Sequence, residues 1–302
     1  MKINRNNRTA VHEAAKQGNF LLIKFFFQFS ISQVQLCEHR DDQFQTCLHL
    51  ACSQGHYRIV EYLLHQGANV SSLDMNDSTP LHEACAHNHY SCVELLLSFH
   101  APIDPFDCKH STPLHYAAQF GHWQIVRLLL NSHANVQSIT SVGYNSFELA
   151  ILNNHQRTVE EFLLHRTWKD SLRNAQIENN SISTPIRKLI KSMPTQAELV
   201  FNRCTIEYGR RDESLYRIFF DYEFLEDQLS IFKWRNERPS KTISLLRQTH
   251  PLYLIICSYH YDLLKHPLIH QLIQRKWSQF SRTCFWILFL FYGRTSYLDT
   301  LI

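Results

Sequence analysis

The sequence predicts a mainly α protein: a solenoid of short helix pairs, then a helical linker region with a short β element, then a partial hydrophobic helix suited to entering a membrane. Three observations predict it. A motif recurs at a fixed interval, an apolar stripe with helical spacing follows each copy, and the repeat register stops after His165.

The motif is Thr-x-x-His or a derivative of it, at Thr9 to His12, Thr46 to His49, Thr79 to His82, Thr112 to His115 and Asn145 to Glu148. The last four copies are spaced by 33 residues, whereas 37 separate His12 from His49, which places an insertion in Ser30–His39. Thr46, Thr79 and Thr112 are expected to cap a helix through their hydroxyls. Pro80 and Pro113 suit the first helical turn, where the missing N–H would be unpaired anyway, and the following Leu turns inward. His49, His82 and His115 are expected to tie each turn together by hydrogen bonds. Six residues after each motif end stands Gly18, Gly55, Asn88, Gly121 or Asn154. These residue types tolerate the left-handed conformation that ends a helix. A second helix then carries Ile23, Phe26, Phe27; Val60, Leu63, Leu64; Val93, Leu96, Leu97; Val126, Leu129, Leu130; and Val159, Phe162, Leu163. Spacing of this kind aims one stripe at a neighbour. A 33-residue period with this motif is the ankyrin signature, so residues 1–165 are expected to form five ankyrin repeats.

One repeat cannot bury both of its faces, so the stack is stable only as a stack. Loops Asn69–Ser78, Ile103–Ser111 and Asn135–Tyr144 line one edge and, with the short helices, a concave face where protein partners are expected. The 19 histidines invite a metal or catalytic reading. Their fixed places in the repeat, including His56, His89, His122 and His155 after the helix-ending residue, argue for structural roles instead. Cys52 and Cys85 are read as buried fillers. No catalytic, cofactor-binding or metal site is expected, and no enzyme activity.

Thirty basic against 27 acidic residues leave a net charge of +3, too small an excess for a nucleic-acid binder. The nine cysteines occur singly, with no C-x-x-C pair, as expected in a reducing compartment. The N-terminus lacks the apolar stretch of a secretory signal.

Residues 166–250 are expected to be a helical linker. Trp168 to Ala175 continues a helix, Asn179–Ser183 is a loop, and Thr184-Pro185 opens a helix through Ile186, Leu189 and Ile190. Another begins near Pro194 and runs to about Cys204. From Tyr216 to Leu225 apolar and charged residues alternate, which predicts a half-buried strand near 216–225. Phe232–Arg247 is strongly basic; it is either a solvated linker or a surface facing anionic lipid headgroups. Residues 251–302 read as pre-membrane helices and the start of a truncated first transmembrane segment. Two helical pieces break at His266-Pro267, the second placing Leu268, Leu272, Ile273 and Trp277 on one side. Arg275, Lys276 and Trp277 then lead into the apolar run Cys284–Tyr292, shorter than the roughly 20 residues a spanning helix needs. A membrane is expected beside residues 275–292.

The order of repeats, Trp168-Lys-Asp, the Thr184-Pro-Ile helix, the Tyr216–Leu225 element, and above all His260-Tyr-Asp-Leu-Leu-Lys-His-Pro-Leu followed by Arg275-Lys-Trp resemble the cytosolic half of transient receptor potential ankyrin-type (TRPA) cation channels. The resemblance covers nearly the whole chain. It implies homotetramers that conduct cations including calcium in sensory transduction, at the cytoplasmic face of the plasma membrane, with the pore outside this chain. Several relatives sense electrophiles through linker cysteines. Of those positions only Cys204 is a cysteine here, a candidate reactive thiol or a buried filler, while Ser171, Thr184 and Gln196 cannot form a thiolate. The expected function is thus a channel's cytosolic region, with no cofactor. The alternative is a soluble cytoplasmic ankyrin-repeat adaptor for a protein partner.

Overall fold

The computed structural model describes residues 7–29, 33–178, 181–208, 217–226 and 250–278. The basic stretch Phe232–Arg247 and the apolar run Cys284–Tyr292 lie outside the described residues. The chain divides into two compact units, Met1–Gln176 and Ile177–Ile302.

In the first unit every motif opens a short helix: α1 (Ala10–Gln17), α4 (Cys47–Ser53), α6 (Pro80–Ala86), α8 (Pro113–Gln119) and α10 (Ser146–Leu152). Each is followed by a second helix: α2 (Phe20–Gln28), α5 (Tyr57–His65), α7 (Tyr90–Ser98), α9 (Trp123–Asn131) and α11 (Gln156–Leu164). Between them Gly18, Gly55, Asn88, Gly121 and Asn154 all take positive φ, so each first helix stops in the same place. First helices stack on first helices and second on second. The first layer is built on small buried residues, Ala14 and Ala15, Ala51 and Cys52, Ala84 and Cys85, Ala117 and Ala118, which let backbones approach closely. Bulkier residues fill the second layer. Val60, Leu63 and Leu64 are buried with their counterparts, except that Phe26 and Leu97 are only half-buried. Burying one such side chain contributes about 2 kcal/mol, so the stack draws its stability from many equal contributions.

Departures from the expected pattern occur at both ends of the array. The insertion in the first repeat contains a helix, α3 (Gln33–Glu38), whose Leu36 and Cys37 are buried and which packs on α4. After α11 the helix does not continue from Trp168 to Ala175. It is the single turn α12 (Trp168–Leu172), burying Trp168 and Leu172 beside α10 and α11. The first unit therefore reaches beyond the boundary at 165 read from the repeat register.

The second unit corrects several expectations. Where a loop was expected, β1 (Gln176–Glu178) and β2 (Ser181–Ser183) pair as a two-stranded sheet. Helix α13 (Pro185–Ser192) forms as expected, but the buried Thr184 hydroxyl has no hydrogen bond, so its start rests on Pro185 and not on a cap. Helix α14 (Pro194–Arg203) leads into β3 (Thr205–Tyr208), antiparallel to β4 (Arg217–Phe220) with Thr205 opposite Phe220. Of the half-buried strand expected over Tyr216–Leu225, the described strand covers Arg217–Phe220 alone, and Arg217, Ile218 and Phe219 are exposed. Asp221 ends it: its carboxylate accepts the Glu223 N–H at 3.0 Å and starts α15 (Glu223–Glu226), which buries Phe224 and Leu225.

Three helical pieces follow instead of two: α16 (Pro251–Cys257), α17 (Tyr261–Leu264) and residues 267–278. The extra break is at Tyr259, with φ 58. There the His260 N–H returns to the Ile255 carbonyl at 3.2 Å, as the His89 N–H returns to Ala84 at 3.0 Å after Asn88. Pro251 to Leu264 thus copies the local turn of a repeat without its motif. In the last helix Leu268, Ile269 and Leu272 are buried, but Ile273 is 43% and Trp277 69% exposed, so the buried stripe is not the one expected. The core of this unit gathers Ile186, Leu189, Ile190, Val200, Phe201, Ile255 and Leu263.

Candidate interaction surface

The motif residues are geometrically alike from repeat to repeat. The Thr46, Thr79 and Thr112 hydroxyls lie 2.9, 3.0 and 2.8 Å from Nδ1 of His49, His82 and His115, and the same nitrogen accepts the Thr backbone N–H at 3.2, 3.0 and 3.1 Å. Thr and His form one reciprocal capping box, with imidazole in the place usually held by Glu or Gln. The two residues thus act as one unit and not, as expected from the sequence, in separate tasks. With Nδ1 accepting, Nε2 carries the proton and donates forward to the next repeat: His12 to Gln45, His49 to Ser78, His82 to Ser111 and His115 to Ser138 carbonyls, at 3.1 to 3.2 Å. Burial holds all four imidazoles below the ordinary histidine pKa, His115 at about 4, against the opposing pull of the carbonyls.

A second set points the other way. His56, His89, His122 and His155 donate from Nε2 to carbonyls of Lys16, Ser53, Ala86 and Gln119 in the preceding repeat, at 2.9 to 3.1 Å. At Gly55 the His89 ring lies where a side chain would begin: an added Cβ would meet it at 2.2 Å. That glycine is required by the neighbour's imidazole as well as by its own φ of 71.

Residues missed in the sequence build the projecting edge. Asp41, Asp74 and Asp107, also 33 apart, each accept two backbone N–H groups, from Gln43 and Gln45, Asn76 and Ser78, Lys109 and Ser111, at 2.6 to 2.9 Å. This folds each inter-repeat loop into a tight hairpin. The remaining oxygens of Asp41 and Asp107 hold the Arg8 guanidinium at 2.8 Å and the Tyr116 hydroxyl at 2.7 Å. Burial, then the Asp107 carboxylate, pushes the Tyr116 phenol upward. Neighbouring hairpins join tip to tip, Met75 N–H to Gln43, Cys108 to Asn76 and Ser141 to Lys109 carbonyls, each at 2.9 Å. Their common 33-residue period is the sequence signal that marks them.

The edge so built displays apolar side chains. Leu73, Phe106 and Ile139 stand at equivalent positions and are exposed, with Phe44, Met75 and Val142 nearby. At the end of α8 Tyr116 stacks with Phe120, and Phe120 with His122 in the following turn, at 6.5 and 6.1 Å. Rigid, partly apolar surface of this kind suits binding. Acid–base work does not suit it, because each motif imidazole has both nitrogens engaged. Among the described residues no three His, Cys, Asp or Glu side chains converge as metal ligands.

The fifth motif inverts the chemistry. Asn145 caps through its side chain to the Glu148 N–H at 2.8 Å and donates to the Ser171 carbonyl at 2.9 Å. Glu148, fully buried, accepts from the Asn145 N–H, Asn174 and Gln176. Cys204 lies apart in the second unit, buried at the end of α14, with its carbonyl accepting the Asp221 N–H at 2.8 Å. Ser171, Thr184 and Gln196 are buried too.

Comparison with known proteins agrees with this architecture. The family description "Ankyrin repeats (3 copies)" matches residues 1–74, 71–140 and 104–175. The chain is similar to the Transient receptor potential cation channel subfamily A member 1 homolog of Caenorhabditis elegans, 24% identical over 324 residues that cover 96% of this chain and 26% of that protein. The chain thus spans about a quarter of the length of that curated relative. Among the described residues no helix is long and apolar enough to cross a membrane.

Proposed function

The chain belongs to the ankyrin-repeat family, and from that premise we propose that it is the cytosolic repeat and pre-membrane region of a TRPA-like cation channel. The carrying observation is that the similarity to a subfamily A cation channel runs through 96% of the chain. It takes in the second unit, which a generic repeat protein has no reason to share. In this reading the repeats are a docking surface and lever, and residues 275–292 lie next to the membrane. Exposed Arg275, Lys276 and Trp277 on the last described helix suit an interfacial position. Homotetrameric assembly, calcium permeation and a sensory role belong to the same proposal, as does a place at the cytoplasmic face of the plasma membrane. A stimulus would act only by contacting the repeats differently in closed and open states.

A second reading, a cytoplasmic adaptor without enzyme activity, draws support from the exposed row Leu73, Phe106 and Ile139, which suits a protein partner by itself. Fractionation of source cells with an antibody against Asp74–His110 separates the two. A membrane-bound band much larger than 35.8 kDa, released only by detergent, is expected for the channel. A soluble band at that mass would replace it with the adaptor.

A further inference from the structure

The junction of the first and second repeats holds two thiols on adjoining elements, Cys37 in α3 and Cys47 at the first position of α4, where the third and fourth repeats have Pro80 and Pro113. Both are buried. The Cys47 thiol donates to the Cys37 carbonyl oxygen at 3.7 Å, which sets the two cysteines side by side. The pair is unequal. The neighbouring Cys47 side chain lowers the pKa of Cys37, while the Cys37 side chain and complete burial push Cys47 well up, so Cys37 ionises first and Cys47 keeps its proton.

Burial alone would make both thiols inert, but Cys37 also forms part of the wall of a cavity of about 180 Å³, with Glu38, Arg40, Thr46, Asn69 and Ser72. A water molecule takes up roughly 30 Å³ of liquid, so a small neutral peroxide fits and a bulky reagent does not. The wall is polar: it includes the Arg40 cation and the Ser72 hydroxyl, which is buried and has no hydrogen-bond partner.

We propose that Cys37 and Cys47 are a peroxide-reactive pair that closes to an intramolecular disulfide. The Cys37 thiolate attacks one peroxide oxygen; the O–O bond breaks, and the departing hydroxide takes up the proton Cys37 released, leaving as water. Cys37 is then a sulfenic acid. The Cys47 sulfur attacks it, the S–O bond breaks, and the hydroxyl leaves with the Cys47 proton as a second water. Two thiols are oxidised, one peroxide is reduced to two waters, and one S–S bond forms. The link spans the hairpin held by Asp41 and fixes α3 to α4 beside the His39 carbonyl, 3.0 Å from Nε2 of His12. These residues are separate from Cys204 and the linker positions.

The test treats the whole purified chain with hydrogen peroxide, blocks remaining thiols, digests without reduction and maps peptides by mass. The expected product joins the Cys37 and Cys47 peptides with loss of two hydrogens, forming before the exposed Cys108 and Cys257 are consumed. In urea the joining should slow by about tenfold, since its rate depends on the held geometry. Cys47→Ser should leave Cys37 as a sulfenic acid, trapped by dimedone as the peroxide-treated chain is unfolded, with circular dichroism before that step confirming the fold. Recovery of Cys37 and Cys47 as free thiols while Cys108 is oxidised would overturn the proposal. So would an equal rate in urea, or Cys37 joined chiefly to another cysteine.

Discussion

At the scale of single residues, the motif histidine is a proton-sensitive fastener. Its Nδ1 accepts from a Thr N–H and hydroxyl, so a proton there would face donors. Burial opposes the same protonation, and His115 has a pKa of about 4 against 6.5 for an ordinary histidine. The unfolded chain binds more protons between those values, so stability rises with pH through that window and is lost as pH falls from 6.5 toward 4. The shift corresponds to about 3 kcal/mol from His115 alone. Urea unfolding should be constant above pH 7 and weaken through the window, and His115→Gln, which keeps one donor and one acceptor, should flatten the slope. Glycines separate in the same way. Gly55→Ala meets the His89 ring at 2.2 Å and should cost about 3 kcal/mol, whereas Gly143→Ala, with nearest atoms at 3.6 Å, should cost about 1 kcal/mol from its φ alone. Equal melting shifts for the two would show that the ring contact carries no weight.

At the scale of elements, what could be read from the sequence was whatever repeats. Helix starts, left-handed stops and most of the buried stripe follow from local rules applied five times, and agreement among copies filters out chance. The aspartate hairpins obeyed the same period and were still overlooked, because Asp74 and its counterparts sit in loops where polar residues need no explanation. The pairing of β3 with β4 was illegible for a different reason: neither strand buries a face, so the alternation around Ile218 reports no core. Thr184 illustrates the limit of motif chemistry, since Thr-Pro opens a helix there while its hydroxyl goes unbonded. Of the candidate surface, the sequence located the loops but not the exposed row along them. Asp74→Ala would leave the Asn76 and Ser78 amides without their acceptor and should cost about 2 kcal/mol. Hydrogen exchange should accelerate at those two amides first, while Asp74→Asn, which retains one oxygen, should stay close to the parent.

At the scale of the molecule, the first unit has its own core and its own finish. A fragment spanning Met1–Gln176 should therefore unfold cooperatively near the melting temperature of the repeats in the whole chain, by circular dichroism. Loss of its helices would mean that the second unit is part of the repeat core. Glu148 marks the finish. In the four preceding motifs the equivalent side chain offers a proton to the carbonyl ahead, whereas Glu148 offers oxygens and receives Asn174 and Gln176. This reversal bears on how such an array can grow. A 33-residue block copied in among the intact motifs meets a carbonyl ahead and an imidazole behind, and slots in without further change. The same block copied after α11 would set its carbonyl against a carboxylate and strand two amides. Lengthening by duplication is open in the middle of this array and closed after α11.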